Sequence, residues 1–211
     1  MVVERFDIEP EDWSAIERAL DTVQPTPIAS CNWAKEYPYA PRVEFRALHT
    51  GNRLVVRFDV EERYTMAHVT ESNGEVWTDS CVELFIAPDS EGYYNIETNC
   101  IGTMLVGYRQ AGKAAEHAPA ELIATFERKA SLGSEPFDER EGDNRWSLTL
   151  SLPPEVMFRH KVNSWTGVEL RANLYKCGDK LSYPHFLSWQ PIVTEKPSFH
   201  QPSFFGVLTL K

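Results

Sequence analysis

Apolar and polar residues alternate with a period of two over many short runs of this chain, and no other sequence feature constrains the fold as strongly. Between Arg53 and Val60 the even-numbered positions are all apolar, and every odd-numbered position except Val55 is polar. Such alternation is typical of a strand that buries one face. Val55 is therefore an apolar residue on the predicted solvent side.

Comparable runs recur along the chain, separated by clusters of Gly, Pro, Asn, Asp and Ser. The predicted strands are 43–48, 53–60, 80–87, 93–109, 121–130, 146–152, 169–177 and 205–210. Short strands at this density, without alternating helices, predict an all-β fold built as an antiparallel β-sandwich. The acidic stretch 137–144 is interpreted as a solvated loop between strands.

One helix is predicted, at the N-terminus. Trp13, Ile16 and Leu20 have helical spacing after Pro10, and the prolines at 25 and 27 end the pattern. We therefore expect residues 1–29 to form a helical extension and residues 30–211 to form the sandwich domain.

The N-terminus carries acids where a signal peptide would be basic. This favours a cytoplasmic location, or a secreted or periplasmic one if a signal has been removed.

Charge and apolar content exclude several classes of partner. The chain has 21 basic and 31 acidic side chains, a net charge of −10, which repels nucleic acid and favours a neutral or cationic ligand. No apolar run reaches the roughly 18–20 residues of a membrane helix, so membrane insertion is not expected. The four cysteines form no C-x-x-C pair and are interpreted as buried thiols. The oligomeric state is left open.

Strand parity predicts a polar face on one sheet. The runs 80–87 and 93–99 read as a hairpin, and one of its faces carries Glu83, Asn95, Glu97 and Asn99. The run 169–177 adds Arg171, Asn173 and Tyr175 on one parity. These side chains supply donors and acceptors for a neutral polyhydroxyl ligand. A solvated sheet face or an internal salt-bridge network would give the same pattern.

The same parity places Cys81 and Cys100 on opposite faces of the sheet, so no disulfide is expected between them.

Aromatic side chains would complete a sugar site, because the C–H face of a pyranose stacks on a ring. Trp77 lies among loop-forming residues just before the predicted hairpin, and further rings crowd the proline-rich segment 184–206. Trp77 and Glu83 would be about 20 Å apart in a fully extended chain, so the chain must turn between them to hold one ligand.

Several runs together resemble the family 9-like carbohydrate-binding modules. The runs that carry this resemblance are Val76-Trp-Thr-Asp-Ser-Cys-Val-Glu-Leu-Phe85, Tyr93-Tyr-Asn-Ile-Glu-Thr-Asn99 and Phe199-His-Gln-Pro-Ser-Phe-Phe-Gly206. The resemblance implies a β-sandwich of the immunoglobulin-like or DOMON-like type and a role in polysaccharide catabolism. It also implies recognition of mono- or oligosaccharide units by stacked rings with Glu, Arg and Asn, and in some members a structural calcium. No other cofactor is expected.

Carried over by position, Trp77 corresponds to the first stacking ring of the family, Glu83 to its carboxylate and Arg109 to its arginine. No second tryptophan has the expected context, so Phe199 or His200 would have to replace it. The predicted carbohydrate-binding residues are Trp77, Glu83, Asn95, Glu97, Asn99, Arg109, Arg171, Asn173, Phe199 and His200.

Two alternatives remain open from the sequence. A glycoside hydrolase could use two of Asp79, Glu83 and Glu97, because glycosidic cleavage uses paired carboxylates. A haem or metal protein on the same sandwich could use Met104 with one histidine. The candidate histidines are His49, His68, His185 and His200.

Overall fold

Two β-sheets pack face to face in the computed structural model, which describes residues 1–211. In chain order the elements are β1 (Val2–Val3), α1 (Trp13–Thr22), β2 (Thr26–Pro27), β3 (Ser30–Cys31), β4 (Arg42–His49), β5 (Leu54–Ala67), β6 (Cys81–Ala87), β7 (Tyr93–Asn99), β8 (Met104–Arg109), β9 (Glu116–His117), α2 (Ala120–Ile123), β10 (Glu127–Ala130), β11 (Phe137–Leu152), β12 (Glu169–Cys177), β13 (Phe186–Ser188) and β14 (Gly206–Leu210).

The larger sheet has nine strands and the smaller has five. The larger follows the order β1-β14-β12-β6-β7-β8-β9, with β13 and β3 beside β12. The smaller follows the order β10-β11-β5-β4-β2. Every pairing is antiparallel except that of β1 with β14. The prediction of an all-β, antiparallel sandwich is confirmed.

The main core lies between the sheets. It contains 36 buried residues, among them Phe45 and Phe58 from the smaller sheet and Leu84 and Ile96 from the larger one. Period-two alternation directs every second side chain of each strand into this layer. The core therefore corresponds to the apolar parity identified in the sequence.

Helix α1 explains the exception at Val55. The helix begins after Asp12, whose side chain accepts a hydrogen bond from the amide of Ala15 at 2.9 Å and so caps its N-terminus. Its apolar face packs on Leu48 and on Val55, which is completely buried. An apolar side chain on the outer face of the smaller sheet thus marks where the helix covers it.

Three predicted segments differ in the structure. The run 93–109 is divided into β7 and β8 by a turn, in which Gly102 has φ of +88°. The run 121–130 begins as α2, and only residues 127–130 form a strand. The acidic stretch 137–144 is part of β11 rather than a loop, and it pairs with β5 with two register shifts. Its side chains are largely exposed, so strand pairing is compatible with its charge.

The predicted hairpin register is confirmed. Glu83 lies opposite Glu97 on β7, and it also lies opposite Tyr175 on β12. Cys81 lies opposite Asn99 rather than Cys100, and all four cysteines are free thiols. Both helices are too short and too polar to cross a bilayer.

A buried ion pair connects the two sheets. Lys176 of β12 and Glu62 of β5 are both inaccessible, and Nζ lies 2.8 Å from Oε2. The ammonium group also donates to the Cys177 carbonyl and contacts Nε2 of His185, each at 2.8 Å. Since Nδ1 of His185 lies 3.0 Å from the Tyr183 carbonyl, it carries the ring proton and Nε2 accepts from Lys176. His185 is therefore neutral.

This arrangement predicts a loss of stability in mild acid. Burial and the Lys176 charge hold the pKa of His185 well below its usual value of 6.5. Below pH 6.5 the unfolded chain takes up a proton that the folded chain does not, so stability falls as the pH falls. For this group we expect a loss on the order of 1 kcal/mol between pH 8 and pH 5.5.

Urea unfolding of wild type and His185→Gln at both pH values measures this contribution, because all other titrating groups are common to the two proteins. The glutamine variant should lack this part of the pH dependence. Equal pH dependence in the two proteins would show that folding does not lower the pKa of His185.

Candidate functional site

A cavity of about 260 Å³ opens on the outer face of the larger sheet, away from the main core. It is lined by Trp77, Glu83, Glu97, Arg109, Cys177, Asp179, Phe186, Pro197, Ser198, Phe199 and His200. Its volume is slightly below the usual range for ligand pockets, about 300–1,000 Å³. The cavity therefore suits a small ligand or one terminal unit of a larger one.

Neighbouring strands supply the floor of the cavity. Glu83 and Glu97 lie directly opposite each other on β6 and β7. Arg109 ends β8 and lies opposite Tyr93, the first residue of β7. The sheet therefore positions two carboxylates and a guanidinium group on a rigid support.

A short 3-10 turn brings Trp77 to the same cavity. Residues Val76–Thr78 form this turn, and Val76 anchors it in a second apolar cluster on the outer face of the sheet. The Trp77 carbonyl accepts from the amide of Asp179 at 3.1 Å, which ties the turn to the chain after β12. The chain therefore turns between Trp77 and Glu83, as it must if both are to contact one ligand.

The segment after β13 forms the opposite wall. Phe199 is buried and stacks on Tyr175, with ring centroids 4.2 Å apart and planes at 11°. His200 stacks on Phe85 with centroids 5.1 Å apart, and its Nδ1 lies 3.0 Å from the Tyr93 hydroxyl. These contacts fix both rings at the edge of the cavity.

Burial shifts the ionisation of the cavity groups. Burial, with the neighbouring Cys177 and Glu97, raises the pKa of Glu83 well above its usual range. Burial raises the pKa of Glu97 to about 7, although an Asn95 hydrogen bond and Arg109 oppose the shift. Burial raises the pKa of Asp179 to about 6. At neutral pH the cavity therefore contains carboxyl groups that can donate as well as accept hydrogen bonds.

Arg109 is the one cation among the residues that line the cavity, and its guanidinium group has no partner within the protein. It forms none of the side-chain hydrogen bonds or ion pairs of the structure, and its Nε is buried without a partner. Buried donors are normally satisfied. An unpaired guanidinium group at a cavity is therefore available to a ligand.

The sequence model of the family described as "Carbohydrate-binding family 9" matches residues 15–210. The chain belongs to this family. No curated protein sequence matches the family 9 chain described here.

Solved structures agree with this assignment. The chain is similar to a candidate carbohydrate-binding protein from Bacteroides uniformis ATCC 8492, with 39% identity and a TM-score of 0.95 over 100% of this chain and 98% of the other. A family 9 module from Caldicellulosiruptor kristjanssonii in complex with glucose shares the fold, at 13% identity, TM-score 0.57 and coverage of 100% and 95%. A family 9 module from that organism in complex with cellotriose also shares the fold, at 14% identity and a TM-score of 0.52, over 100% of this chain and 93% of the other.

The structure of this family 9 chain brings six of the ten predicted site residues to the cavity. They are Trp77, Glu83, Glu97, Arg109, Phe199 and His200. The other four share the predicted sheet face but do not line the cavity, because a second apolar cluster of 12 buried residues covers most of that face. The polar face predicted from strand parity is therefore largely buried, and only part of it lines the cavity.

Those four side chains maintain the fold around the cavity. Asn95 donates to Glu97 at 2.9 Å, and Asn99 donates to Asp79 and to the Val69 carbonyl, both at 2.9 Å. Asn173 donates to the Gln190 carbonyl at 3.0 Å, and Arg171 donates to the Pro202 carbonyl at 2.5 Å. The last two bonds hold the segment that forms the cavity wall.

Five cavity residues were not predicted. They are Cys177, Asp179, Phe186, Pro197 and Ser198. Cys177 shares the parity of Arg171, Asn173 and Tyr175, so the pattern that identified those residues also contained this one. Asp179 follows the strand, and the other three come from segments whose position depends on long-range packing.

The residues of the alternative assignments are only partly in the cavity: Glu83, Glu97 and His200 line it, whereas Asp79 and Met104 do not. Asp79 is fully buried outside the cavity and accepts hydrogen bonds from the amides of His68 and Val69 as well as from Asn99. Met104 is buried in the main core. The proposed histidine partners are bonded in different parts of the fold, His49 to Lys211, His68 to Asp138, His185 to Lys176 and His200 to Tyr93.

One group of potential metal ligands occurs in the structure. The ligand atoms of Cys81, Glu83 and Cys177 lie within 4.8 Å of one another. Two sulfur atoms do not suit calcium, which takes six to eight oxygen ligands. The group therefore does not fit the structural calcium that some family members hold.

Proposed function

We propose that the cavity beside Trp77 binds a monosaccharide or the terminal unit of an oligosaccharide. One observation carries the proposal: an aromatic ring, an unpaired guanidinium group and partly protonated carboxyl groups line one small cavity. Family membership and the sugar complexes of the Caldicellulosiruptor modules support it. The small volume of the cavity favours binding of a single sugar unit over binding along an oligosaccharide.

The tryptophan ring suits the apolar face of a pyranose. The face of an aromatic ring is electron-rich, and the C–H groups of a sugar ring carry small positive charges, so the two attract each other. Trp77 is half-buried, and its ring takes part in none of the aromatic pairs that involve Phe199 and His200. Its ring face is therefore available for stacking.

The polar side chains suit sugar hydroxyls. Each hydroxyl group donates one hydrogen bond and accepts others, so it pairs well with a group that does the same. Glu97 and Asp179, with pKa values raised by burial to about 7 and about 6, offer both functions near neutral pH. Arg109 supplies the strong donors that orient one hydroxyl pair.

Titration calorimetry with glucose and cellotriose tests the proposal. Wild type should bind at least one of the two sugars, and Trp77→Ala should lower that affinity about tenfold, corresponding to the upper range of ring-stacking energies. Tyr183→Ala is the matched control, because this ring is 51% exposed and does not line the cavity. It should bind as wild type does.

Two outcomes would contradict the proposal. Binding that is unaffected by Trp77→Ala would place the sugar elsewhere on the molecule. Absence of binding to a panel of mono- and disaccharides by folded wild type would refute a sugar site in this cavity.

A further inference from the structure

Two cysteines lie opposite each other beside the cavity. Cys81 of β6 and Cys177 of β12 are register partners in adjacent antiparallel strands. Glu83 lies two positions after Cys81, so its side chain projects from the same outer face of the sheet. The topology therefore brings two thiols and a carboxyl group together on a rigid support.

The ligand atoms of these three side chains are close enough to share one ion. Sγ of Cys177 lies 3.1 Å from Oε1 of Glu83, and all three ligand atoms lie within 4.8 Å of one another. In a tetrahedral zinc site with Zn–S bonds of about 2.3 Å, two sulfur ligands lie about 3.8 Å apart. Small side-chain rotations would therefore bring the three atoms to coordination distance.

The fold provides no ion-pair partner for the carboxyl group of Glu83. Its side chain is 3% exposed and forms no ion pair, and its partner is the Cys177 thiol. The Cys81 thiol lies beside that of Cys177 and otherwise contacts the Val82 carbonyl, at a long 3.6 Å. A buried carboxylate without a cation is costly, so Glu83 is neutral unless a positive charge joins it. A bound cation would supply that charge.

The ion would also have access to solvent. Glu83 and Cys177 both line the cavity, and Asp179 lines it beside them. Three protein ligands with a fourth position open to a cavity are typical of zinc sites that bind water or a further ligand. A water molecule from the cavity would complete the tetrahedron.

The geometry points to a binding site for a divalent, thiophilic cation of the zinc class, formed by Sγ of Cys81, Sγ of Cys177 and the carboxylate of Glu83. On binding, the two thiols and the Glu83 carboxyl group each release a proton to solvent, and the three negative charges then exceed the two positive charges of the ion by one. The proposal does not rest on the sugar function, although Glu83 lines the cavity proposed to hold the sugar.

Cobalt(II) is a suitable probe, because its thiolate complexes absorb in the near ultraviolet. Cobalt is titrated into reduced full-length wild type, Cys177→Ala and Cys31→Ala. Cys31 is the matched control, because its thiol lies outside this group of ligands and contacts the Tyr37 carbonyl instead. Wild type and Cys31→Ala should each give a thiolate-to-cobalt band that saturates at one ion per chain, and Cys177→Ala should give none. No band in wild type, or the same band in Cys177→Ala, would overturn the proposal.

X-ray absorption of wild type with one equivalent of zinc tests the ligands without any substitution, so it decides the matter if Cys177→Ala does not fold. We expect two sulfur neighbours at about 2.3 Å and oxygen neighbours at about 2.0–2.2 Å. A zinc shell without sulfur, or loss of the zinc during gel filtration, would overturn the proposal.

Discussion

Lys176→Met should lower the free energy of unfolding by about 3–5 kcal/mol, because removing one partner of a buried ion pair leaves the other charge uncompensated. Glu62 would keep the bonds from Trp146 at 2.7 Å and Thr65 at 3.2 Å but would lose its cation. Domains of this kind are stable by only about 5–15 kcal/mol. Urea unfolding monitored by tryptophan fluorescence would measure the loss.

Lys129→Met provides the comparison on the surface. Lys129 pairs with Glu17 at 2.5 Å, but the two side chains are 55% and 39% exposed. Such pairs contribute about 0–1 kcal/mol, so this variant should unfold nearly as wild type does. The double variant Lys176→Met with Glu62→Met should regain much of the lost stability, since no charge remains buried. Equal stabilities of the two single lysine variants would contradict this account.

Arg109→Met should weaken sugar binding by about 10- to 150-fold, which corresponds to the about 1.5–3 kcal/mol of a hydrogen bond to a charged group. The side chain lines the cavity and has no partner in the protein, so its removal costs the fold little. Calorimetry with whichever of glucose and cellotriose wild type binds would measure the affinity. Urea unfolding should give nearly equal stabilities for wild type and variant.

Arg145→Met is the matched control for this experiment. Arg145 lies on β11 of the smaller sheet, its side chain is 75% exposed, and it does not line the cavity. Its substitution should change sugar affinity less than about threefold, which is well under the contribution of one hydrogen bond to a charged group. If Arg145→Met weakened binding as much as Arg109→Met, the loss would reflect the change in net charge rather than a contact in the cavity.

The fold was predictable because its main signal is local. Alternation over 53–60 indicates which side of a strand is buried. The same rule placed Glu83 and Glu97 on one face of a hairpin, and in the structure they lie opposite each other. The limits of that rule are visible at 137–144, where solvated charges remain compatible with strand pairing. The buried pair of Lys176 and Glu62 could not be read from alternation, because the two residues lie in different sheets.

The candidate site was predictable only in part, because its walls depend on segments distant in sequence. Parity placed Glu97 and Asn173 on one face but could not show that the segment after β13 covers Asn173. The loop context indicated Trp77, and family resemblance supplied Arg109; their positions depend on a turn and on a strand end. Phe186 and Ser198 enter the cavity through packing between loops, which leaves no periodic signal in the sequence.

The outermost strands of both sheets are very short. The larger sheet ends at β1 and β9 and the smaller at β2, each of two residues, while the smaller ends on its other side at β10, of four. Pro27 in β2 has no amide hydrogen to offer, and Lys129 in β10 is exposed and charged. A sheet edge with a long row of free amides recruits further strands and leads to aggregation. None of these outermost strands offers such a row, and the part of β11 that β10 leaves uncovered is charged, largely exposed and interrupted by two register shifts. We therefore expect the sandwich to resist edge-to-edge polymerisation at high concentration.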